Sequence, residues 1–371
     1  MPFRILSIDG GGLRGIVPAL VLKHVERLSG VKRVQNSFEL LAGAPTGALI
    51  AAGLTVADRN DPEKRSRLTV DDIVEVYRQR GKVIFPGTSR FFLARWKQCV
   101  MDLLKPKFGT DGLDVVLRSL LYEMDLYSPR LLDCNRPLFI CSYDLATNSP
   151  LIFTSREAFE DPMRNVQLYD ACRATSAGPT YLPPYRFALN HAHDRATTDR
   201  VTCIDGGVFM NNPAMGALVE VLEHQGGAYY DVPDLDLSDI YLLSIGTGHL
   251  PQRIAEGSQR WGRFGWSKCI FDVMMWGSSQ VVDEQVRTAL GLRARAGMLN
   301  YLRINVEIKD KKYSDMANSD AASLAHLEER VEEDFMQNAF IQDELLRFIA
   351  DAEIRQEPIA GSVDEPVLPD A

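Results

Sequence analysis

The sequence predicts an α/β fold in which buried parallel strands alternate with helices. Residues 3–8 form a short apolar run that ends at a triple glycine, and a helical pattern begins at about Gly15. Residues 38–42 form a second apolar run, which is followed by a glycine turn and another helical pattern. Residues 241–247 form a third run with a Gly-Thr-Gly end. Buried strands that end in tight turns before helices are typical of a parallel sheet.

The composition excludes several classes of protein. The 371 residues are 46% hydrophobic and 25% charged, an ordinary balance for a globular protein. The net charge of −9 argues against a nucleic-acid partner. Six cysteines are scattered without a CxxC pair, so we expect buried thiols in a reducing compartment. Since the chain has no apolar run of about 20 residues and no basic leader, we expect a cytoplasmic protein.

The first glycine loop, Gly10 to Gly15, has two interpretations. Glycines let backbone N–H groups converge on an anion, which is either a phosphate or a developing oxyanion. A strand, a glycine loop and a helix also form a dinucleotide-binding turn. That interpretation is disfavoured, because no convincing acidic residue follows about 20 positions later and Arg14 lies inside the loop.

The second glycine turn has the sequence Gly-Ala-Pro-Thr-Gly at residues 43–47. A nucleophile elbow of a serine hydrolase has the pattern Gly-x-Ser-x-Gly between a strand and a helix, and its serine projects above the sheet. Pro45 takes the central position here. Taken alone, the segment is also consistent with an ordinary tight turn.

Later motifs extend this pattern. They are Ala-Cys-Arg-Ala-Thr-Ser-Ala-Gly-Pro-Thr at 171–180, Asp-Gly-Gly at 205–207, Asn-Asn-Pro at 211–213 and Ser-Ile-Gly-Thr-Gly at 244–248. Together with the DGGGLRG loop and the GAPTG turn, they make residues 3–250 resemble the patatin-like phospholipase family, in the same order and spacing.

The resemblance implies a three-layer α/β/α fold with a mainly parallel central sheet. It also implies a Ser–Asp dyad without histidine, metal or cofactor, in which Asp205 is the general base and Pro45 occupies the nucleophile's place. The glycine loop would donate its N–H groups to the oxyanion of the tetrahedral intermediate. The remaining site residues implied are Gly10, Gly11, Gly12, Arg14 and Gly15 in the oxyanion hole, Gly43 and Gly47 in the elbow, and Gly206 and Gly207 after Asp205.

Proline changes both the chemistry and the backbone at position 45. It has no hydroxyl, and its φ is locked near about −65°, whereas an elbow nucleophile normally has a strained positive φ. We therefore expect a flattened turn with Pro45 as the first residue of a helix. Thr46 should point into the helix and is not expected to replace the nucleophile. Three origins stay open: a natural pseudoenzyme, an enzyme with another nucleophile, and a serine lost by mutation.

An insertion at about residues 78–125 is predicted to form a cap. Within it, residues 78–107 carry eight basic residues against one acid, interleaved with aromatic residues. This pattern suits peripheral binding to an anionic membrane surface at its inner face. A solvated helix hairpin is an equally good interpretation. His191 and His193, in a polar loop, lack a third ligand, so no metal site is expected.

Residues 251–355 are predicted to form a mostly helical extension that packs on the 3–250 domain, with a late strand at 301–306. Met and Phe at helical spacing in residues 260–279 favour core packing over an acyl-chain groove. Residues 356–371 are expected to be disordered. The extension resembles that of bacterial family members, some of which are effectors activated by cyclic nucleotides. A small-molecule activator and a homo-oligomer are therefore further hypotheses.

Two functions from different classes follow. The leading one is a lipid acyl hydrolase of phospholipase A or lysophospholipase type, which acts on a phospholipid or membrane surface. Because the nucleophile is missing, we expect this chain to be inactive or nearly so. The alternative is a catalytically silent lipid-binding or regulatory protein that keeps the pocket. Dinucleotide binding through the first glycine loop is ranked last.

Overall fold

The computed structural model describes residues 2–86, 107–122, 127–189, 200–251, 262, 266 and 270–354. The described strands form one eight-stranded sheet in the order β5-β6-β3-β2-β1-β7-β8, and β4 pairs with β3. The strands are β1 (Phe3–Ile8), β2 (Leu40–Gly43), β3 (Leu138–Asp144), β4 (Ser149–Thr154), β5 (Tyr185–Ala188), β6 (Arg200–Asp205), β7 (Ile240–Ile245) and β8 (Tyr301–Ile304).

Eleven α-helices fall within the described residues, and a π-helical turn at Glu332–Met336 joins the last two. They are α1 (Ile16–Ser29), α2 (Pro45–Thr55), α3 (Val70–Ile84), α4 (Asp111–Leu121), α5 (Ser155–Glu160), α6 (Leu168–Thr175), α7 (Gly207–Met210), α8 (Ala214–His224), α9 (Ile270–Gly291), α10 (Ala321–Val331) and α11 (Ala339–Asp351).

The sheet is mainly parallel. The five neighbouring strands β3, β2, β1, β7 and β8 run in one direction. Strands β4 and β6 pair antiparallel with β3, and β5 pairs antiparallel with β6. The predicted α/β fold with a mainly parallel central sheet is therefore confirmed.

Helices cover both faces of the sheet. Successive residues of a strand point to opposite sides, and the strands are apolar on both sides. Ile5, Leu40 and Leu242 face one side, where they pack with α8 and α9. Leu6, Leu41 and Leu243 face the other side, where α1, α2, α6, α10 and α11 contribute to the larger core. The three layers that the sequence predicted are thus confirmed.

The region beyond residue 250 contributes to the same sheet. Strand β8 pairs with β7, from Leu242 opposite Tyr301 to Ile245 opposite Ile304. Helices α10 and α11 pack on α1. The predicted domain boundary at 250 stays a prediction, and the predicted disordered tail lies outside the described residues.

A buried ion pair connects β1 to β8. Asp9 directly follows β1, and its carboxylate accepts two hydrogen bonds from the guanidinium of Arg303, at 3.0 and 2.5 Å. Arg303 Nη1 also donates to the hydroxyl of Ser244 at 2.6 Å. Both charged side chains are almost wholly buried. Since Asp9 begins the first glycine loop, this pair anchors the loop to the far edge of the sheet.

We expect Arg303→Met to lower the free energy of unfolding by about 3–5 kcal/mol, because it leaves the Asp9 carboxylate buried without its cation. Urea denaturation monitored by circular dichroism measures this change. The control is Lys23→Met, which breaks the exposed pair of Lys23 with Asp71 and should change the free energy of unfolding by less than about 1 kcal/mol. Similar losses in the two variants would contradict the anchoring role of the buried pair.

Candidate active site

A cavity opens beside the glycine turns. Its volume is about 850 Å³ with the open mouth included. Gly11, Gly12, Pro45 and Asp205 line one part of it. The rest is predominantly apolar and is built by α2, α3 and α4, through side chains that include Leu49, Ile73, Val76, Leu113, Val116 and Leu120. The cavity therefore joins the predicted site residues to a space suited to a hydrocarbon chain.

The first glycine loop presents two N–H groups without an acceptor. Within the part of the chain that the structure describes, the amides of Gly11 and Gly12 donate to no protein atom, whereas the amide of Leu13 donates to the carbonyl of Met316 at 2.9 Å. Gly12 has a φ of +57°, and a Cβ there would lie 2.5 Å from the Met316 oxygen. This turn therefore requires glycine, and it leaves two donors for an anion.

The other three predicted oxyanion residues have different positions. The Gly10 amide donates to the carbonyl of Asn211 at 3.0 Å, so it is not a free donor. Gly15 lies against Tyr77, whose hydroxyl would be 2.4 Å from a Cβ at this position. Arg14 is half-buried, with its Nε 3.5 Å from the Gly11 carbonyl. Of the predicted set, Gly11 and Gly12 are the residues whose amides have no acceptor within the described part of the chain, and their role in binding an oxyanion stays a prediction.

Asp205 ends β6 with its carboxylate at the cavity. Its Oδ1 accepts a hydrogen bond from the Gly207 amide at 2.6 Å. Its own amide donates to Ala177 at 3.0 Å, which connects it to the Ala-Cys-Arg-Ala-Thr-Ser-Ala-Gly-Pro-Thr motif. Burial raises the pKa of Asp205 from 3.8 to about 7, and the Gly207 hydrogen bond opposes that shift in part. A carboxyl group with this pKa can take and return a proton near neutral pH.

Pro45 is the first residue of α2, and Ala44 before it is extended, with φ −98° and ψ 164°. The glycines around it are tightly packed: a Cβ at Gly43 would lie 2.2 Å from the Ala48 nitrogen, and one at Gly47 would lie 2.1 Å from the Ile8 oxygen. The turn thus keeps the close packing of an elbow while its central residue has no hydroxyl.

The Thr46 hydroxyl lies at the cavity but is already hydrogen-bonded within the protein. It donates to the carbonyl of Gly12 at 2.6 Å and lies 2.8 Å from the hydroxyl of Tyr77. The side chain is 4% exposed. These contacts join the second glycine turn to the first and to α3. Thr46 therefore has a structural role and is not placed as a substitute nucleophile.

Comparison with known proteins identifies the family. A family model described as patatin-like phospholipase matches residues 6–218. The chain belongs to the patatin-like phospholipase family. It is 30% identical over 334 residues to Patatin-04/09 of Solanum tuberosum, covering 86% of this chain and 80% of that protein. It is 32% identical over 340 residues to Patatin-like protein 2 of Arabidopsis thaliana, covering 87% and 80%.

A solved structure, VipD from Legionella pneumophila, shows a weaker likeness. It is 10% identical, with a TM-score of 0.33, covering 89% of this chain and 67% of that one. This score is too low to support an argument about the fold, which rests on the sheet topology described above. The two relatives compared in sequence are plant proteins, so the bacterial type stays a prediction.

Asn211 lies beside the predicted site residues, and the sequence did not reveal its contacts. Its backbone carbonyl accepts a hydrogen bond from the Gly10 amide. Its side-chain Nδ2 donates to the hydroxyl of Ser279 on α9 at 2.9 Å. Its buried Oδ1 lies so close to two glycines that a Cβ would be 2.4 Å away at Gly10 and 3.1 Å away at Gly207. Asn211 thus holds together the first glycine loop, the turn after Asp205 and α9. The Asn-Asn-Pro motif was the one sequence signal for it.

The described part of residues 260–279 shows both of the alternatives, core packing and an acyl-chain groove. Phe271 and Met275 both line the cavity. Met275 is also buried, so one helix face contacts the protein interior and the cavity together. Met and Phe at helical spacing give no means of telling the two surroundings apart, because both are apolar.

The basic segment is described only at its two ends, and residues 87–106 lie outside the described residues. Arg78 forms an ion pair with Glu328 at 2.7 Å, and Lys107 forms one with Asp315 at 3.3 Å. Two of the eight predicted basic residues are therefore paired within the protein. Among the described residues, no helix combines the length and apolarity needed to cross a bilayer.

The metal prediction concerns residues that the structure does not describe, since His191 and His193 lie outside the described ranges. In the described part of the chain, no three His, Cys, Asp or Glu side chains cluster as metal ligands would.

We expect Asp205→Asn to stabilise the protein at about pH 8 and to have a much smaller effect at about pH 4. Because burial raises the pKa from 3.8 to about 7, the folded state binds this proton more tightly than the unfolded chain. The free energy of unfolding of the unmodified chain therefore falls as pH rises through that window, by up to about 4 kcal/mol. Urea denaturation of both proteins across this pH range measures the difference. A difference that does not change with pH would contradict the raised pKa.

Proposed function

We propose that this chain carries a phospholipase A or lysophospholipase site that binds an acyl lipid but lacks the attacking atom. The observation that supports this is one continuous cavity: its apolar wall leads to the free amides of Gly11 and Gly12, to Asp205 and to Pro45. As the chain stands, hydrolysis should be at or near background.

The proposed chemistry is that of the Pro45→Ser form. Asp205 would take the serine proton while the serine oxygen attacks the carbonyl carbon of the ester. The Gly11 and Gly12 amides would stabilise the oxyanion. The alcohol would then leave with the proton, and a water molecule activated by Asp205 would hydrolyse the acyl-enzyme. Proline provides neither the oxygen that attacks nor the proton that Asp205 would transfer.

The cavity wall indicates the substrate class. Leu113, Val116 and Leu120 of α4 face the cavity together with Ile73 and Val76 of α3, so an alkyl chain would be surrounded by apolar side chains. Arg14 lies beside Gly11, on the loop that would hold the ester carbonyl. We propose that its guanidinium steadies this loop or an anionic group of the lipid.

The second candidate is a catalytically silent protein that binds or senses lipid. Two observations favour it: Pro45 fits the first helical position without a positive φ, and the Thr46 hydroxyl is already bonded to Gly12 and Tyr77. The proposed activator, homo-oligomer and bacterial type belong to this candidate as much as to the hydrolase.

We expect Pro45→Ser to produce hydrolysis of a soluble short-chain ester such as p-nitrophenyl butyrate, measured as the initial rate at pH 7.5. Pro45→Ala is the matched control, because it removes the ring without supplying a hydroxyl, and it should stay at background. Adding Asp205→Asn to Pro45→Ser should lower the rate by about 10²–10⁴-fold, because the proton acceptor is lost.

Equal rates for Pro45→Ser and Pro45→Ala would overturn the hydrolase proposal, provided that circular dichroism shows both proteins to be folded. If these silent proteins still bind a fluorescent fatty acid in the cavity, the lipid-binding candidate is supported in its place.

A further inference from the structure

The part of α9 from Ile270 to Val281 exposes apolar side chains that do not pack in the protein interior. Ile270, Val273, Met274 and Val281 are all exposed. Their spacing places them on one side of the helix, opposite the buried Met275 and Ser279. From Ile270 to Val282 the helix carries a single charged residue, Asp272. An exposed helix normally has a polar outer face, so this apolar face needs an explanation.

The outer face becomes polar as the helix leaves the cavity. Beyond Val281, the exposed side chains of α9 are Glu284, Gln285, Arg287 and Thr288. The buried side remains apolar there through Val286 and Leu290, which pack on the sheet. The exposed apolar side chains of α9 therefore lie between Ile270 and Val281, the part of the helix that includes the cavity-lining Phe271 and Met275.

The exposed apolar face and the cavity lining belong to the same helix turns, and around the helix Phe271 lies between the exposed Met274 and the buried Met275. Phe271 and Met275 line the cavity, and they alternate along the helix with Ile270, Val273 and Met274, which face outward. One short segment thus lines the cavity on one side and is exposed on the other. A lipid that passes around Phe271 from a bilayer into the cavity would stay in contact with apolar side chains.

We propose that the outer face formed by Ile270, Val273, Met274 and Val281 is a docking surface for a lipid bilayer. This inference rests on the proposed function, because a cavity that takes acyl chains must receive them from a lipid phase. It places membrane contact on α9, and the basic segment at residues 78–107 is not required for it.

The charges near this end of α9 indicate how the surface binds. Asp272 and Asp315 lie within electrostatic range of Arg14, and Lys311 acts on Asp272 in the same way. Lys107 is paired with Asp315. Positively and negatively charged side chains are thus mixed near this end of α9. Binding should accordingly depend on insertion of the apolar side chains and should change little with the anionic lipid content.

The test compares vesicle binding by the full chain with that of two variants of matched exposure. Met274→Glu changes the proposed surface, where Met274 is 45% exposed. Leu346→Glu changes α11 on the opposite face of the sheet, where Leu346 is 46% exposed. Both sites face solvent, so both variants should fold, and thermal unfolding checks this. Flotation with vesicles of phosphatidylcholine alone, and of phosphatidylcholine and phosphatidylglycerol in equal parts, measures the partition coefficient.

We expect Met274→Glu to lower the partition coefficient roughly tenfold or more on both vesicle types, because a charge replaces a side chain that enters the bilayer. Leu346→Glu should leave it unchanged. Equal binding by both variants would overturn the proposal. So would a concentration-dependent dimer in sedimentation velocity that Met274→Glu abolishes while vesicle binding persists, because the occupant would then be a second copy of this chain.

A separate measurement distinguishes this inference from the proposed function. In the Pro45→Ser background, Met274→Glu should reduce hydrolysis of vesicle lipid and leave hydrolysis of soluble p-nitrophenyl butyrate unchanged. Loss of both activities would show that the α9 change damages the site and would count against a docking role. If Pro45→Ser hydrolyses neither substrate, the hydrolase proposal fails, while the flotation result still decides the docking surface.

Discussion

The structure depends on glycine turns that follow the ends of β1, β2 and β6 and pack closely against neighbouring elements. A Cβ at Gly10 would lie 2.4 Å from the Asn211 side chain, one at Gly47 would lie 2.1 Å from the Ile8 oxygen, and one at Gly206 would lie 2.2 Å from the Cys141 oxygen. Real Cβ atoms do not approach within 3 Å, so a side chain at Gly47 or Gly206 would displace backbone and one at Gly10 would displace the Asn211 side chain. This packing brings the amides of the first loop, position 45 and the Asp205 carboxylate to one cavity.

Because of these contacts, the presence of the glycines does not by itself indicate catalytic activity. They pack the core of the fold whether or not residue 45 can attack an ester. Pro45 supplies no hydroxyl but fits the turn, because it occupies the first position of α2, where proline is well tolerated. The retained Asp205 is more informative. A buried carboxyl group with a pKa raised to about 7 weakens the fold at high pH, so its presence favours a role in binding or proton transfer.

The residues of the candidate site could be predicted because they lie in local sequence motifs. Contacts between distant parts of the chain could not be predicted. The glycine turns, Pro45 and Asp205 were found because each lies at a strand end with its own sequence pattern. The pair of Asp9 with Arg303 joins residues 294 positions apart and has no local signal. The hydrogen bond of Asn211 to Ser279 and the cavity walls formed by α3 and α4 also depend on the packing of distant segments, so they have no local sequence signal either. Basic residues interleaved with aromatic ones suggested a membrane surface at residues 78–107, whereas exposure in the fold was needed to find the apolar face of α9.

The proposed function requires that the cavity receive an acyl lipid with its carbonyl group at the first glycine loop. A crystal structure of this chain with bound palmitate would show where the carboxylate lies. We expect a carboxylate oxygen within about 3 Å of the Gly11 and Gly12 nitrogens and an alkyl chain between α3 and α4. If the carboxylate instead lies at the far end of the cavity, or if palmitate binds only elsewhere on the protein, the proposed function is wrong.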